Sequence, residues 1–77
     1  MKSKLVIDKY SNKCWLLPNG DVHRENGPAI YNKNGLEVWA TNNKPHRVNG
    51  PAVVYCNGMK EYYLNGVVTY QRKYMQM

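Results

Sequence analysis

Residues 21–43 read DVHRENGPAIYNKNGLEVWATNN, residues 44–66 read KPHRVNGPAVVYCNGMKEYYLNG, and the two align without a gap at a period of 23 residues. His-Arg-x-Asn-Gly-Pro-Ala recurs at 23–29 and 46–52, Asn34-Gly35 recurs as Asn57-Gly58, and Trp39 and Asn42 stand where Tyr62 and Asn65 do. A fixed period of this size marks an architecture in which each repeat is one supersecondary unit leaning on its neighbours. One period earlier, Val6-Ile7 falls where Ala29-Ile30 does, and Trp15-Leu16-Leu17 replaces Val38-Trp39-Ala40. One period later only 67–70 continues the pattern. The expected organisation is a single domain over 1–77: a degenerate unit at about 1–20, units at 21–43 and 44–66, and a partial unit with a tail at 67–77. Terminal repeats commonly deviate in this way.

Asn-Gly between two short runs of β-formers favours the positive φ angles of a type I′ turn, so each unit reads as a hairpin. Strands are expected at about 5–10, 13–17, 28–33, 36–41, 51–56 and 59–64, with 67–70 as a candidate seventh. Gly or Pro every few residues argues against helix throughout. The fold class is therefore all-β, an elongated antiparallel meander of tandem β-hairpins with about 23 residues per repeat.

A two-residue turn at Asn34-Gly35 pairs Ile30 with Trp39, and by repetition Val53 with Tyr62 and Ile7 with Leu16. These pairs would form one apolar stripe, flanked by Lys9, Asn32, Glu37 and Lys60. The same register sends Val6, Leu17, Ala29, Ala40, Ala52 and Tyr63 to the opposite face, with Trp15, Tyr31, Val38 and Val54. A sheet with two apolar faces needs cover on one of them, from its own loops and tail or from another molecule.

Eleven Lys and Arg against five Asp and Glu give a formal charge of +6, which favours anionic partners. The cations are dispersed rather than gathered into a basic arm. There is no Phe, and the seven Tyr and two Trp suit positions with one dry and one wet side. Residues 5–7 are the one continuous apolar run near the start, far short of a signal peptide's core, so the expectation is a cytoplasmic protein with no membrane span. Cys14 and Cys56 lack CxxC spacing and fall on different faces in this register, which predicts buried free thiols, no disulfide and no metal.

His23-Arg24 and His46-Arg47 invite a catalytic reading, but equivalent positions in successive units make a spaced ladder, whereas an active site converges unlike groups on one point. The expected role is structural: the pair braces the turn before Gly-Pro-Ala through loop carbonyls. No nucleophile, P-loop, zinc or paired-carboxylate motif is present, which predicts a non-enzyme without cofactors. Lys and Arg alternating with Tyr and Trp on a sheet also fit a nucleic-acid platform, and Arg24 with Arg47 could hold the phosphates of a nucleotide. The leading expectation is protein binding, with Trp15, Tyr31, Tyr63, Arg24 and Arg47 as partner-binding residues, and homo-oligomerisation would use the same surface.

The succession of Trp or Tyr, Asn-Gly, His-Arg-x-Asn-Gly-Pro-Ala and a second Asn-Gly resembles the variant MORN-like repeats of phage and bacterial proteins. It covers most of the chain. Trp39, His23, Arg24, Gly27, Pro28, Ala29, Asn34 and Gly35 match, as do His46, Arg47, Gly50, Pro51, Ala52, Asn57, Gly58 and Tyr62. Asn43 stands where glycine is usual, and the first and last units lack His-Arg. The resemblance implies successive antiparallel hairpins with His23, His46, Trp39, Tyr62, Gly27, Gly50, Pro28 and Pro51 as structural residues. It also implies a short phage-type accessory protein that binds and inhibits or redirects a host protein in the host cytoplasm, with an anti-defence role. A sponge for a nucleotide or other phosphorylated ligand and a nucleic-acid-binding protein are the alternatives.

Overall fold

In the computed structural model, which describes residues 2–69, every regular element is a β-strand. The first hairpin is β1 (Lys4–Ile7) with β2 (Lys13–Leu16), and the second is β3 (Ile30–Tyr31) with β4 (Glu37–Val38). A small separate hairpin of β5 (Ala40–Thr41) and β6 (Lys44–Pro45) follows. The third large hairpin is β7 (Val53–Val54) with β8 (Lys60–Leu64), and β9 (Val67–Thr69) pairs back on β8. The order β1-β2-β3-β4-β7-β8-β9 makes one antiparallel seven-stranded meander, with β5 and β6 as a two-stranded sheet. The tandem-hairpin reading is thus realised. The strands are shorter than expected, 44–45 is an additional one, and position 70 of the candidate seventh strand lies outside the described residues.

Two kinds of turn alternate along the chain. The three large hairpins close over three-residue loops: Ser11, Gly35 and Gly58 donate their amides to Asp8, Asn32 and Tyr55 carbonyls at 3.1, 3.1 and 2.9 Å, and sit at φ +69°, +100° and +90°. This is a β-turn followed by a left-handed residue, the three-residue hairpin loop with a bulge. The connections between units use two-residue turns with both φ positive, Asn42-Asn43 (+48°, +68°) and Asn65-Gly66 (+52°, +82°). Those are the type I′ geometry. At the first such connection the loop has an extra residue, Pro18-Asn19-Gly20, with Gly20 at +92°. Trp15 therefore stands 24 residues before Trp39 in the equivalent place, not opposite Val38 as an unbroken 23-residue period would have it.

The three-residue loops correct the expected register, by one residue in the second and third large hairpins and by three in the first. Ile30 pairs with Val38 rather than Trp39, Val53 with Glu61 rather than Tyr62, and Ile7 with Lys13 rather than Leu16. A slip by an odd number of residues exchanges faces. Val6, Cys14, Ile30, Val38 and Val53 therefore share one face, ending in Glu61, while Ile7, Lys13, Tyr31, Glu37, Val54 and Lys60 share the other. Trp39 and Tyr62 do lie on a common side, as expected, but across the sheet from Ile30 and Val53.

The sheet is thin. The molecule measures 40 × 27 × 16 Å, its buried apolar residues are Ala29, Ala40, Ala52 and Val53, and no large side chain is fully buried among the described residues. Ala29 and Ala52 are fully buried, and their carbonyls accept the amides of Trp15 and Trp39 at 2.8 and 2.6 Å. Cys14 is half-buried on the sheet and burial pushes its thiol up, whereas Cys56 is exposed in the 56–58 loop, contrary to the buried position expected for it. Both are free thiols.

Candidate functional site

The repeated His-Arg pairs build two copies of one side-chain arrangement, a box of tryptophan ring, arginine and the loop that the arginine closes. Arg24 lays its guanidinium over the Trp15 ring, Cζ 4.3 Å from the centroid, and Arg47 does the same to Trp39 at 3.8 Å. Each Nη1 also donates to the carbonyl four residues on, Arg24 to Pro28 at 3.2 Å and Arg47 to Pro51 at 3.3 Å. The loop is thereby drawn closed beneath the ring. Glycine leaves room for it: a Cβ at Gly27 or Gly50 would come 3.0 or 3.1 Å from the guanidinium carbon, so the guanidinium would have to give way. Planarity lets arginine stack on the ring and hydrogen-bond in the same pose, a combination lysine lacks. The Nε1 atoms of Trp15 and Trp39 are buried without a hydrogen-bond partner, a desolvation cost both copies carry.

The histidines point the other way, toward the turn that ends their own unit. His23 Nδ1 accepts the Asn42 amide at 3.0 Å and His46 Nδ1 accepts the Asn65 amide at 2.9 Å. The next residue of each turn is held as well, Asn43 by the Val22 carbonyl at 2.8 Å and Gly66 by the Pro45 carbonyl at 2.8 Å. In a type I′ turn both central amides face outward, and here consecutive acceptors from the start of the same unit capture both. The expected bracing role thus divides: arginine closes its own loop on a carbonyl, and histidine receives an amide from the turn at the far end of its unit. His23 is buried and its Nε2 lies 3.4 Å from Glu25 Oε2.

Beside each box lies an open cleft. One of about 360 Å³ is lined by Lys2, Ser3, Trp15, His23, Arg24 and Asn26, with Glu25, and an equivalent one of about 320 Å³ by Glu25, Trp39, His46, Arg47 and Asn49, with its neighbours. Arg24 and Glu25 touch both clefts, so the two run on from each other. Among the described residues, no three His, Cys, Asp or Glu side chains gather as a metal-ligand set.

The expected partner-binding residues do not form one patch. Trp15, Arg24 and Arg47 are stacked within the boxes. Tyr31 is half-buried on the face of Lys13, whose ammonium stands 5.9 Å from the ring centroid. Tyr63 is on the opposite face, donating its hydroxyl to Glu61 Oε1 at 3.0 Å, as Tyr55 does at 3.0 Å. That bond to a carboxylate, with a smaller desolvation effect, raises both phenol pKa values. Sequence reasoning missed the Trp–Arg stack and the His–amide bond. The signal was available in the equal spacing of His23 to Asn42 and His46 to Asn65.

No helix among the described residues is long and apolar enough to cross a membrane. Comparison of the chain with protein-family models, with curated proteins and with solved structures gives no match in any of the three.

Proposed function

We propose that the chain is a non-enzymatic binding module of the variant MORN-like kind, a phage-type accessory protein that inhibits or redirects a host protein by covering it with one face of its sheet. The observation that carries this reading is the division of labour among side chains. The groups with chemical potential, His23, His46, Arg24 and Arg47, are engaged with backbone and rings of the repeat itself. Large side chains meanwhile stay half-exposed: Tyr31 and Val54 on the face with Lys13, Glu37 and Lys60, and Trp15 and Trp39 beside them. Aromatic anchors ringed by charge are the composition of a protein interface. The register moves Tyr63 off this face, so Tyr31 is the anchor to test. A stoichiometric complex that survives moderate salt is expected, lost in Tyr31→Asp while circular dichroism and Tm hold. Binding that collapses with salt and ignores Tyr31→Asp overturns it.

The paired clefts favour a second reading, a sponge for a phosphorylated ligand held at Arg24 and Arg47. It predicts a thermal shift with a nucleotide that disappears in the double variant Arg24→Gln/Arg47→Gln.

A further inference from the structure

β1 lies at one end of the seven-strand order, pairing with β2 on one side and with no strand on the other among the described residues. The Asp8 amide donates across the hairpin to Asn12 at 3.0 Å, so alternation along the antiparallel ladder turns the backbone of Lys4 and Val6 toward β2 and that of Leu5 and Ile7 outward. Natural edges are blunted by proline, a bulge, shortness or charged side chains. No proline or bulge interrupts this one, and its charges stand only at the ends of the run: Leu5, Val6 and Ile7 are consecutive and 38, 45 and 55 % exposed. Lys4 and Asp8, of opposite charge, bracket the run on the face that carries Val6.

We propose that the β1 edge pairs with the β1 edge of a second copy of this chain, antiparallel about a two-fold axis at Val6, so that one sheet runs through both protomers. The outward backbone selects the register. Leu5 exchanges hydrogen bonds with the partner's Ile7 and Ile7 with the partner's Leu5, the hydrogen-bonded pairs of an antiparallel ladder. Val6 then meets the partner's Val6, and Lys4 meets the partner's Asp8, an ion pair that the two-fold repeats. Sliding the strands by two residues either way sets Val6 against a lysine or an aspartate, so only one alignment joins apolar to apolar and each charge to its opposite. A closed two-fold contact also ends growth after one copy, where an open one would build fibres. The inference does not rest on the protein-binding reading, because the dimer leaves both sheet faces free.

The test uses the full chain. Sedimentation equilibrium is expected to give a dimer, and Lys4→Asp, which sets like charges across the axis, is expected to give a monomer with unchanged circular dichroism. Val6→Cys in a Cys14→Ser/Cys56→Ser background, which removes the neighbouring thiol across β2, is expected to oxidise to a covalent dimer in which Ile7→Cys largely fails. A monomer at every concentration overturns the proposal. So does a dimer that persists in Lys4→Asp and resists cross-linking through Val6→Cys, since association would then use another surface such as β9.

Discussion

His23 accepts, through Nδ1, the amide of Asn42 in the turn that ends its own unit, and the bond recurs between His46 and Asn65, each pair 19 residues apart. It ties the opening of a unit to its closing turn. His23→Ala leaves a half-buried donor unpaired and is expected to lower stability by about 1–3 kcal/mol in urea unfolding, the range for an unsatisfied buried group. His23→Asn, whose Oδ1 can take the place of Nδ1, is expected to recover part of that loss. His46→Ala should cost less, because its bond is more exposed.

The guanidiniums and glycines of the two boxes are coupled by contact. Gly27→Ala brings a methyl group to 3.0 Å from Arg24 Cζ and is expected to displace the guanidinium from Trp15, lowering Tm and shifting tryptophan emission to the red. In an Arg24→Ala background the same substitution is expected to be near neutral. A double-mutant cycle with interaction energy close to zero would contradict the stacking.

Ser11 stands at φ +69° where the other two hairpins have Gly35 and Gly58. Ser11→Gly relieves the left-handed conformation at some cost in unfolded-state entropy, for a net gain of about 0.5–1 kcal/mol. Asn43→Gly is expected to gain nothing, although Asn43 sits at +68°, because its Oδ1 accepts the Val22 amide at 3.2 Å and glycine would forfeit that bond. Thermal denaturation of the two variants separates these outcomes.

Asp8 Oδ1 accepts the amides of Asn12 at 3.0 Å and Tyr10 at 2.8 Å, and the bond to Asn12 above all holds the carboxyl below its ordinary value of 3.8. A folded value below the unfolded one means stability that is present above 3.8 and lost as the pH falls through the lower folded value. Asp8→Asn keeps the acceptor oxygen without the titration. Its Tm is expected to fall less steeply than that of the wild type in this acid range.

At the other end of the pH scale, Glu61 accepts from Tyr55 and Tyr63, and both phenols are raised above 10.0. The sign is opposite: the contribution is present below 10.0 and disappears as the pH climbs through the folded values. Ultraviolet titration is expected to show two tyrosines ionising late in the wild type and earlier in Glu61→Gln.

The hairpins and their order could be read from the repeat, yet the register could not, and Asn34-Gly35 shows why. Glycine at positive φ serves a two-residue type I′ turn and a three-residue bulged loop equally well, and the two differ by one residue of pairing. What decides for the longer loop is Asn32, whose Oδ1 accepts the amides of Asn34 and Leu36, both at 3.0 Å, with Asp8 in the same role one unit earlier. The type I′ turns lay instead at Asn65-Gly66 and at Asn42-Asn43, the latter hidden because asparagine holds both positive-φ places. The periodicity of His-Arg points to a structural pair, but its partners are a ring in the preceding unit and the turn at the far end of its own, which spacing alone does not reveal. The separation of Tyr63 from Trp15 and Tyr31 follows directly from the one-residue slip of the third large hairpin.

An interior of three alanines and one valine, with each closing turn clasped by the residues that open its unit, has no central keystone whose removal would bring the whole chain down together. Unfolding should travel as a fray, amide exchange quickening from the middle hairpin toward either extremity, so that resistance to a protease would grade along the sequence instead of switching at a single threshold. Lengthening the protein by a further 23-residue unit would, on the same grounds, raise its stability in an even step.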